Sequence, residues 1–313
     1  MNNCVFVRVD NRKYVTRAEK AKLCIYKCFN KVRIEKHKRG IIILIPLNYL
    51  KDKKKIRKQI EKIFLKEKNS HIIYANGIEE DLNCSKILRN YTGKILMKKL
   101  VFQIIESIYN IVNERVELDD IYVFMNEYNI ENLRIIDELV NMFKTVNIIT
   151  SSIFKFKVLE KKYEREGILI TVSNNKRKSA IKAGIILNVD FDNKSFNKYC
   201  INSNAIVINL NKEKITENSY FNGVIVNDYN IEINEDEKVY VEEFYGKIDF
   251  KMWVEFMMEE MKENAVDELI EKNQIKINKL VGIRGVISSK EIENNYKIFK
   301  NLYKKSSINY WQN

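Results

Sequence analysis

The sequence predicts an α/β protein: a basic N-terminal α/β module, then a Rossmann-like, mostly parallel, doubly wound sheet that lacks the Gly-rich loop. Three observations carry that expectation. Short β-branched runs recur along the chain, separated by stretches with apolar residues every third or fourth position. The positive excess is confined to one end, with 26 Lys+Arg against 9 Asp+Glu in residues 1–100 and 29 against 33 in the remainder. The 313 residues are 45% hydrophobic, ample for packed cores, and their number favours two domains over one. That apolar fraction excludes wholesale disorder.

In chain order, Val5, Val7 and Val9 alternate with Phe6, Arg8 and Asp10 as in a strand. Thr16 is placed to cap a helix through Ala18, Ala21, Cys24, Ile25 and Cys28. Glu35 to Arg39 is a solvated loop by composition, and Ile41 to Ile45 a buried strand. Lys51 to Lys68 reads as a helix with Ile56, Ile60, Ile63 and Phe64 on one side and lysines elsewhere. His71 to Ala75 is a further strand and Ile95 to Val112 a long apolar helix.

From Leu118 onward the alternation becomes regular. Strands are expected at 121–125, 146–149, 168–172, 185–189, 205–210 and 224–226, with helices at 131–144 and 154–165 and a short helical piece at 179–182. Runs apolar on both faces suit a parallel sheet covered by helices on both sides. Glu255 to Lys272 and Ile292 to Tyr303 read as late helices. The expected division is a basic domain over 1–94, a bridging helix over 95–117, a Rossmann-like domain over 118–290, and a C-terminal helix and tail over 291–313. The order of these elements resembles two-domain dehydrogenase-like proteins of the shikimate dehydrogenase type, over roughly residues 1–290. That likeness implies a nucleotide site after the first strand of the second domain, and it rests on no shared motif.

In such a domain glycines follow the first strand, because the backbone must turn tightly and approach a diphosphate closely. Here the segment runs from Met125 through Asn126 and Glu127 to Glu131 without a glycine. Two carboxylates stand where the diphosphate would lie, so NADP(H) is disfavoured as cofactor and the cofactor is left unknown. In an open α/β sheet ligands gather beyond the carboxyl ends of the strands. The candidate ligand-binding residues are accordingly Asn126, Ser151, Ser152, Ser173, Asn174, Asn175, Lys176, Asn188 and Asp190, with Arg284 from the Gly282–Gly285 loop as an anion fork. Each has a plainer reading: Ser and Asn cap helices and satisfy turns, a basic trio such as Lys176, Arg177 and Lys178 is a solvated face, and two glycines around Arg284 make a tight turn.

Several chemistries are set aside. The two histidines, His37 and His71, have no ligand partners at zinc spacing, and Cys24 and Cys28 fit a helix core better than a metal site. No Gly-x-Ser-x-Gly elbow and no phosphate loop occurs. The five scattered cysteines fit a reducing compartment, and a cytoplasmic protein is expected, since neither a secretory signal nor a membrane-length apolar run is found.

The leading functional expectation is a small anionic or nucleotide-type ligand held in an interdomain crevice, a divergent NAD(P)-type oxidoreductase being one version. No catalytic residue is assigned. The first alternative is nucleic-acid or polyanion binding through residues 1–100, with Tyr14 and Tyr26 as base-stacking candidates. The second is a non-catalytic interaction scaffold, a homo-oligomer included, with Met252, Met257, Met258 and Met261 on a docking helix.

Overall fold

A computed structural model describes residues 4–10, 31–37, 40–66, 72–75, 77–83, 91–114, 120–216, 221–259 and 264–308. The expected helix through Ala18 and Cys28, together with Tyr14, Tyr26, His71, Cys84 and Met261, lies outside the described residues. The chain divides into two compact units, one of residues 1–96 with 231–276 and the other of residues 97–230 with 277–313. The segment 231–276 therefore packs with the N-terminal residues, although it follows the second unit's strands in sequence.

In the first unit, β1 (Cys4–Val9) is central, parallel to β3 (Gly40–Ile45) on one side and to β4 (Ile72–Tyr74) on the other. The edge strand β2 (Arg33–His37) runs antiparallel to β3. This corrects the expectation of a loop around His37. An edge strand leaves one row of backbone groups to solvent and tolerates charge, so Arg33, Glu35 and Lys36 do not prevent pairing with the apolar β3. Helix α1 (Lys53–Lys66) buries Ile56 and Ile60 and leaves its lysines outside. Short helices follow as α2 (Ile78–Leu82) and α3 (Lys94–Lys99).

Phe6 anchors the core of this unit. Its ring lies 4.2 Å from that of Tyr245, 5.5 Å from Phe256 and 6.2 Å from Trp253. All three partners come from the 231–276 segment, which explains why that segment groups with β1. Glu255 is buried there and accepts N–H bonds from Thr92, Ile95 and Leu96 at 3.0, 2.6 and 3.1 Å. With the Thr92 hydroxyl, which accepts the Lys94 N–H at 3.4 Å, it satisfies the main-chain donors at the start of α3.

The second unit starts at Met97, within α3, and continues through α4 (Val101–Val112), whose face of Ile104, Ile105 and Ile108 is buried. The expected single helix over 95–112 is thus two helices, with a turn at Leu100. Next come β5 (Asp120–Phe124), α5 (Ile130–Met142), β6 (Thr145–Ile149), α6 (Ile153–Glu164), β7 (Leu169–Ser173), β8 (Ile185–Asn188), α7 (Asn193–Phe196), β9 (Ile206–Asn209) and β10 (Val224–Val226). These six strands form one sheet in the order β10-β9-β8-β5-β6-β7, every neighbouring pair parallel. That is the doubly wound arrangement expected, with the order reversing between β5 and β8.

Residues 176–179 form turns, with Ala180 bridged in parallel to Ile201, in place of the short helix expected over 179–182. The Asn175 side chain takes the N–H groups of Arg177 and Lys178, and the chain then runs straight into the bridge. Phe124, Ile149, Ile186, Phe191, Phe196, Tyr199 and Val207 pack as one buried cluster on this loop-covered side.

The chain leaves this unit through β11 (Asp228–Glu232) and returns through β12 (Lys276–Val281), which pair as a two-stranded sheet. Between them lie α8 (Glu235–Tyr245), α9 (Phe250–Glu259) and α10 (Asn264–Lys272). The last helix, α11 (Ser289–Ile308), packs on α4 and on β9 and β10. Its Phe299 ring rests on Gly184, where a built Cβ would lie 2.4 Å from the ring. At Gly223, before β10, a Cβ would fall 2.1 Å from the Ala205 carbonyl oxygen. Gly223→Ala should therefore force the β9–β10 edge apart and cost about 1–3 kcal/mol in urea unfolding.

Candidate functional site

The carboxyl ends of β5 and β8 meet at the point where strand order reverses, which is where this architecture ordinarily offers a crevice. The loop after β5 turns without glycine, and its amides point toward the loop after β8. Asp190 fills that position. Its carboxylate accepts the Asn126 N–H at 2.8 and 3.0 Å, the Glu127 N–H at 2.7 Å and the Asn132 side-chain amide at 3.5 Å. An internal anion thus satisfies the main-chain donors that a phosphate would use. Burial raises the Asp190 carboxyl above the ordinary aspartate range, while the Glu127 and Asn126 N–H groups pull the other way.

The rest of the rim forms linked polar clusters. The Asn126 side-chain oxygen accepts from the Ser151 N–H at 2.8 Å, the Ser151 hydroxyl at 2.7 Å and the Thr150 hydroxyl at 3.3 Å. Asn132 is fully buried in the apolar face of α5 and donates to the Glu127 carbonyl at 3.0 Å. Ser173 shares a 2.7 Å hydrogen bond with Ser179, and Asn174 accepts the Tyr199 hydroxyl at 2.5 Å. Asn175 is a turn cap, and the Lys176 carbonyl accepts from the Cys200 N–H at 2.7 Å with its side chain exposed.

Helix α6 starts differently from its neighbours. Asn129 caps α5 through the Asn132 N–H, and Asp192 caps α7 through the Ser195 N–H. Ser152, at the start of α6, makes no side-chain cap, and the first turn holds no acidic residue. Lys155 and Lys157 are exposed beside it.

Asn188 belongs to a different construction. It is fully buried, donating to the Phe191 carbonyl at 2.9 Å and to the Asn209 side chain at 2.8 Å. Asn209 donates in turn to Asn227 at 2.9 Å, and Asn227 closes on both backbone groups of Ile215. Three asparagines side by side tie the ends of β8, β9 and β10 to the loops after β8 and β9. Their signal was visible as the repeated endings Ile-Ile-Leu-Asn, Ile-Val-Ile-Asn and Val-Ile-Val-Asn.

Arg284 is not brought to the rim. It stands in an exposed turn between Gly282 and Gly285, where Val281 bridges Val286. That turn borders a cleft of about 220 Å³ beside Phe221, Asn222 and Gly223, at the amino end of β10. A second cleft of about 270 Å³ lies beside Phe196, Tyr199, Cys200, Ile215 and Ile225. Among the described residues no group of three or more His, Cys, Asp or Glu side chains is placed to hold a metal, and no helix is long and apolar enough to cross a membrane.

No family model matches the chain, and no curated protein matches it. Solved structures do. L-tryptophan dehydrogenase from Nostoc punctiforme matches at 10% identity and a TM-score of 0.33, over 97% of this chain and 83% of its own. Shikimate dehydrogenase from Aquifex aeolicus matches at 14% and 0.26, over 66% and 78%. Ornithine carbamoyltransferase from Pyrococcus furiosus matches at 8% and 0.25, over 66% and 72%. Likeness at this level assigns no activity.

The Asp190 carboxyl is raised in the folded state, so between 3.8 and that raised value the native protein holds more protons than the unfolded chain. Its contribution to stability accordingly falls as pH rises through this interval. Asp190→Asn should remove that part of the slope and leave stability at pH 7 within about 1–2 kcal/mol of the parent's, because relief of a desolvated charge offsets the loss of one acceptor oxygen. Urea unfolding of both proteins across a pH series measures both effects.

Proposed function

We propose that the six-strand unit binds a small anion, a phosphate or carboxylate, at the start of α6 rather than a dinucleotide at the strand-order reversal. The uncapped first turn of α6 carries this reading. Neighbouring helix starts on the rim carry an N-cap side chain on the amide three residues on. Here the Thr150 hydroxyl takes the Ser152 N–H and the Ser152 carbonyl the Lys155 N–H. That leaves the Ile153 and Phe154 N–H groups, the Ser152 hydroxyl and the Lys155 ammonium with no acidic residue in the first turn. Ser151, held by Asn126, sets the position of Ser152, and Lys176 extends the basic border of the rim.

The occupied amides after β5 argue against a divergent NAD(P)-type oxidoreductase. A diphosphate there would have to displace Asp190 and lie beside its charge. No catalytic residue is proposed. The reading is of a binding unit on a Rossmann-like scaffold.

Thermal unfolding with millimolar inorganic phosphate should show a rise in Tm that NADH does not reproduce. Ser152→Asp supplies a built-in anion at the same place. It should stabilise the free protein by about 1 kcal/mol and abolish the phosphate response. A phosphate response that survives Ser152→Asp, or micromolar NADH binding, would overturn the proposal and leave a scaffold or a cofactor enzyme respectively.

A further inference from the structure

Five of the six lysines of helix α1 share one face, which the rim does not use. At 100° per residue, Lys54, Lys55, Lys58, Lys62 and Lys66 fall within roughly 120° of arc, opposite Ile56 and Ile60. All five lysines are exposed, and both isoleucines are fully buried. Lys54 to Lys66 spans about 18 Å at 1.5 Å per residue. The helix is anchored through its apolar face, so the row of charges is held straight. Glu61 sits at the border of the arc and is engaged with Arg57 at 3.3 Å.

We propose that this lysine row is a docking edge for the phosphodiester backbone of a nucleic acid. A linear polyanion meets a linear row of ammonium groups without a pocket, and counterion release supplies the free energy. An anionic membrane is a poorer fit, because interfacial helices insert their apolar face and this helix uses that face in its own core. An acidic peptide would need pockets for its side chains, while the row offers repeated point charges. Binding of this kind reads no base sequence, since phosphate contacts position without specifying.

Fluorescence anisotropy with labelled single-stranded and duplex oligonucleotides, each at 50 to 200 mM salt, tests the proposal. Five contacts predict a logarithmic salt slope of about −3.5 for single strands and −4.5 for duplex, hence a roughly 100-fold or greater loss of affinity over that range. The arm with the tighter binding at matched salt identifies the form of nucleic acid. The triple variant Lys54→Gln, Lys58→Gln, Lys62→Gln keeps good helix formers and should lower the slope by about 2 to 3. A control with the same loss of net charge, Lys144→Gln, Lys194→Gln, Lys290→Gln, should bind like the parent.

Equal weakening by both triple variants would mean attraction to net charge alone and would overturn the assignment to α1. So would a flat salt response, or binding to phosphatidylserine vesicles but to neither oligonucleotide. Lysine acetylation footprinting on the unmodified protein gives a second readout. Protection by oligonucleotide should fall on the five lysines of α1, and protection elsewhere only would sink the idea.

Discussion

The contact on which the second unit's character depends is the one between the Asp190 carboxylate and the amides of Asn126 and Glu127. Two loops at a strand-order reversal must place their polar backbone somewhere, and buried N–H groups left unmet cost free energy. The usual solution in a doubly wound sheet admits a ligand phosphate with the help of glycine. This chain meets the same requirement internally. The Glu127 and Asn129 side chains add a local 3.3 Å bond, and Lys98 reaches toward Glu131 and Asn132 from α3. Scaffold and occupant have become one polypeptide.

The first unit repeats the device on a different element. Glu255 is nearly surrounded, burial raises its carboxyl above the ordinary range, and main-chain donors at the start of α3 draw it back down. Neither carboxylate has a lysine or arginine as principal partner, so both are held chiefly by backbone dipoles. Such an arrangement fixes geometry more than it adds stability, because desolvation opposes the hydrogen bonds.

Much of the architecture was legible because parallel strands must be apolar on both faces, and runs such as Ile185 to Leu187 or Ile206 to Ile208 announce themselves. The absence of glycine after β5 likewise marks the altered loop in the sequence. The identity of its occupant was not legible as a contact. Asp190 lies 64 residues from Asn126, and Glu255 about 160 from Ile95, so no local spacing relates them. The edge strand β2 was hidden by its charges, which edges accept. Asn188 was grouped with the rim because it ends a strand, yet its side chain faces Asn209 and solvent cannot reach it. Arg284 is a candidate because two glycines flank it, yet its turn follows β12 and lies beside the amino end of β10.

The discontinuity of the first unit has a temporal meaning during synthesis. Phe6 emerges early, but Tyr245, Trp253 and Phe256, which cover it, are made some 240 residues later. At 5–20 residues per second that interval is roughly 12 to 50 s. Once β3 and β4 have followed β1, an apolar β-sheet stands without that cover, while the six-strand sheet forms in between and waits for Phe299 to settle on Gly184. Maturation of this protein is thus governed by its late helices, and a nascent chain paused before α8 would present both a sticky N-terminal sheet and an unsealed second one to whatever chaperone is near.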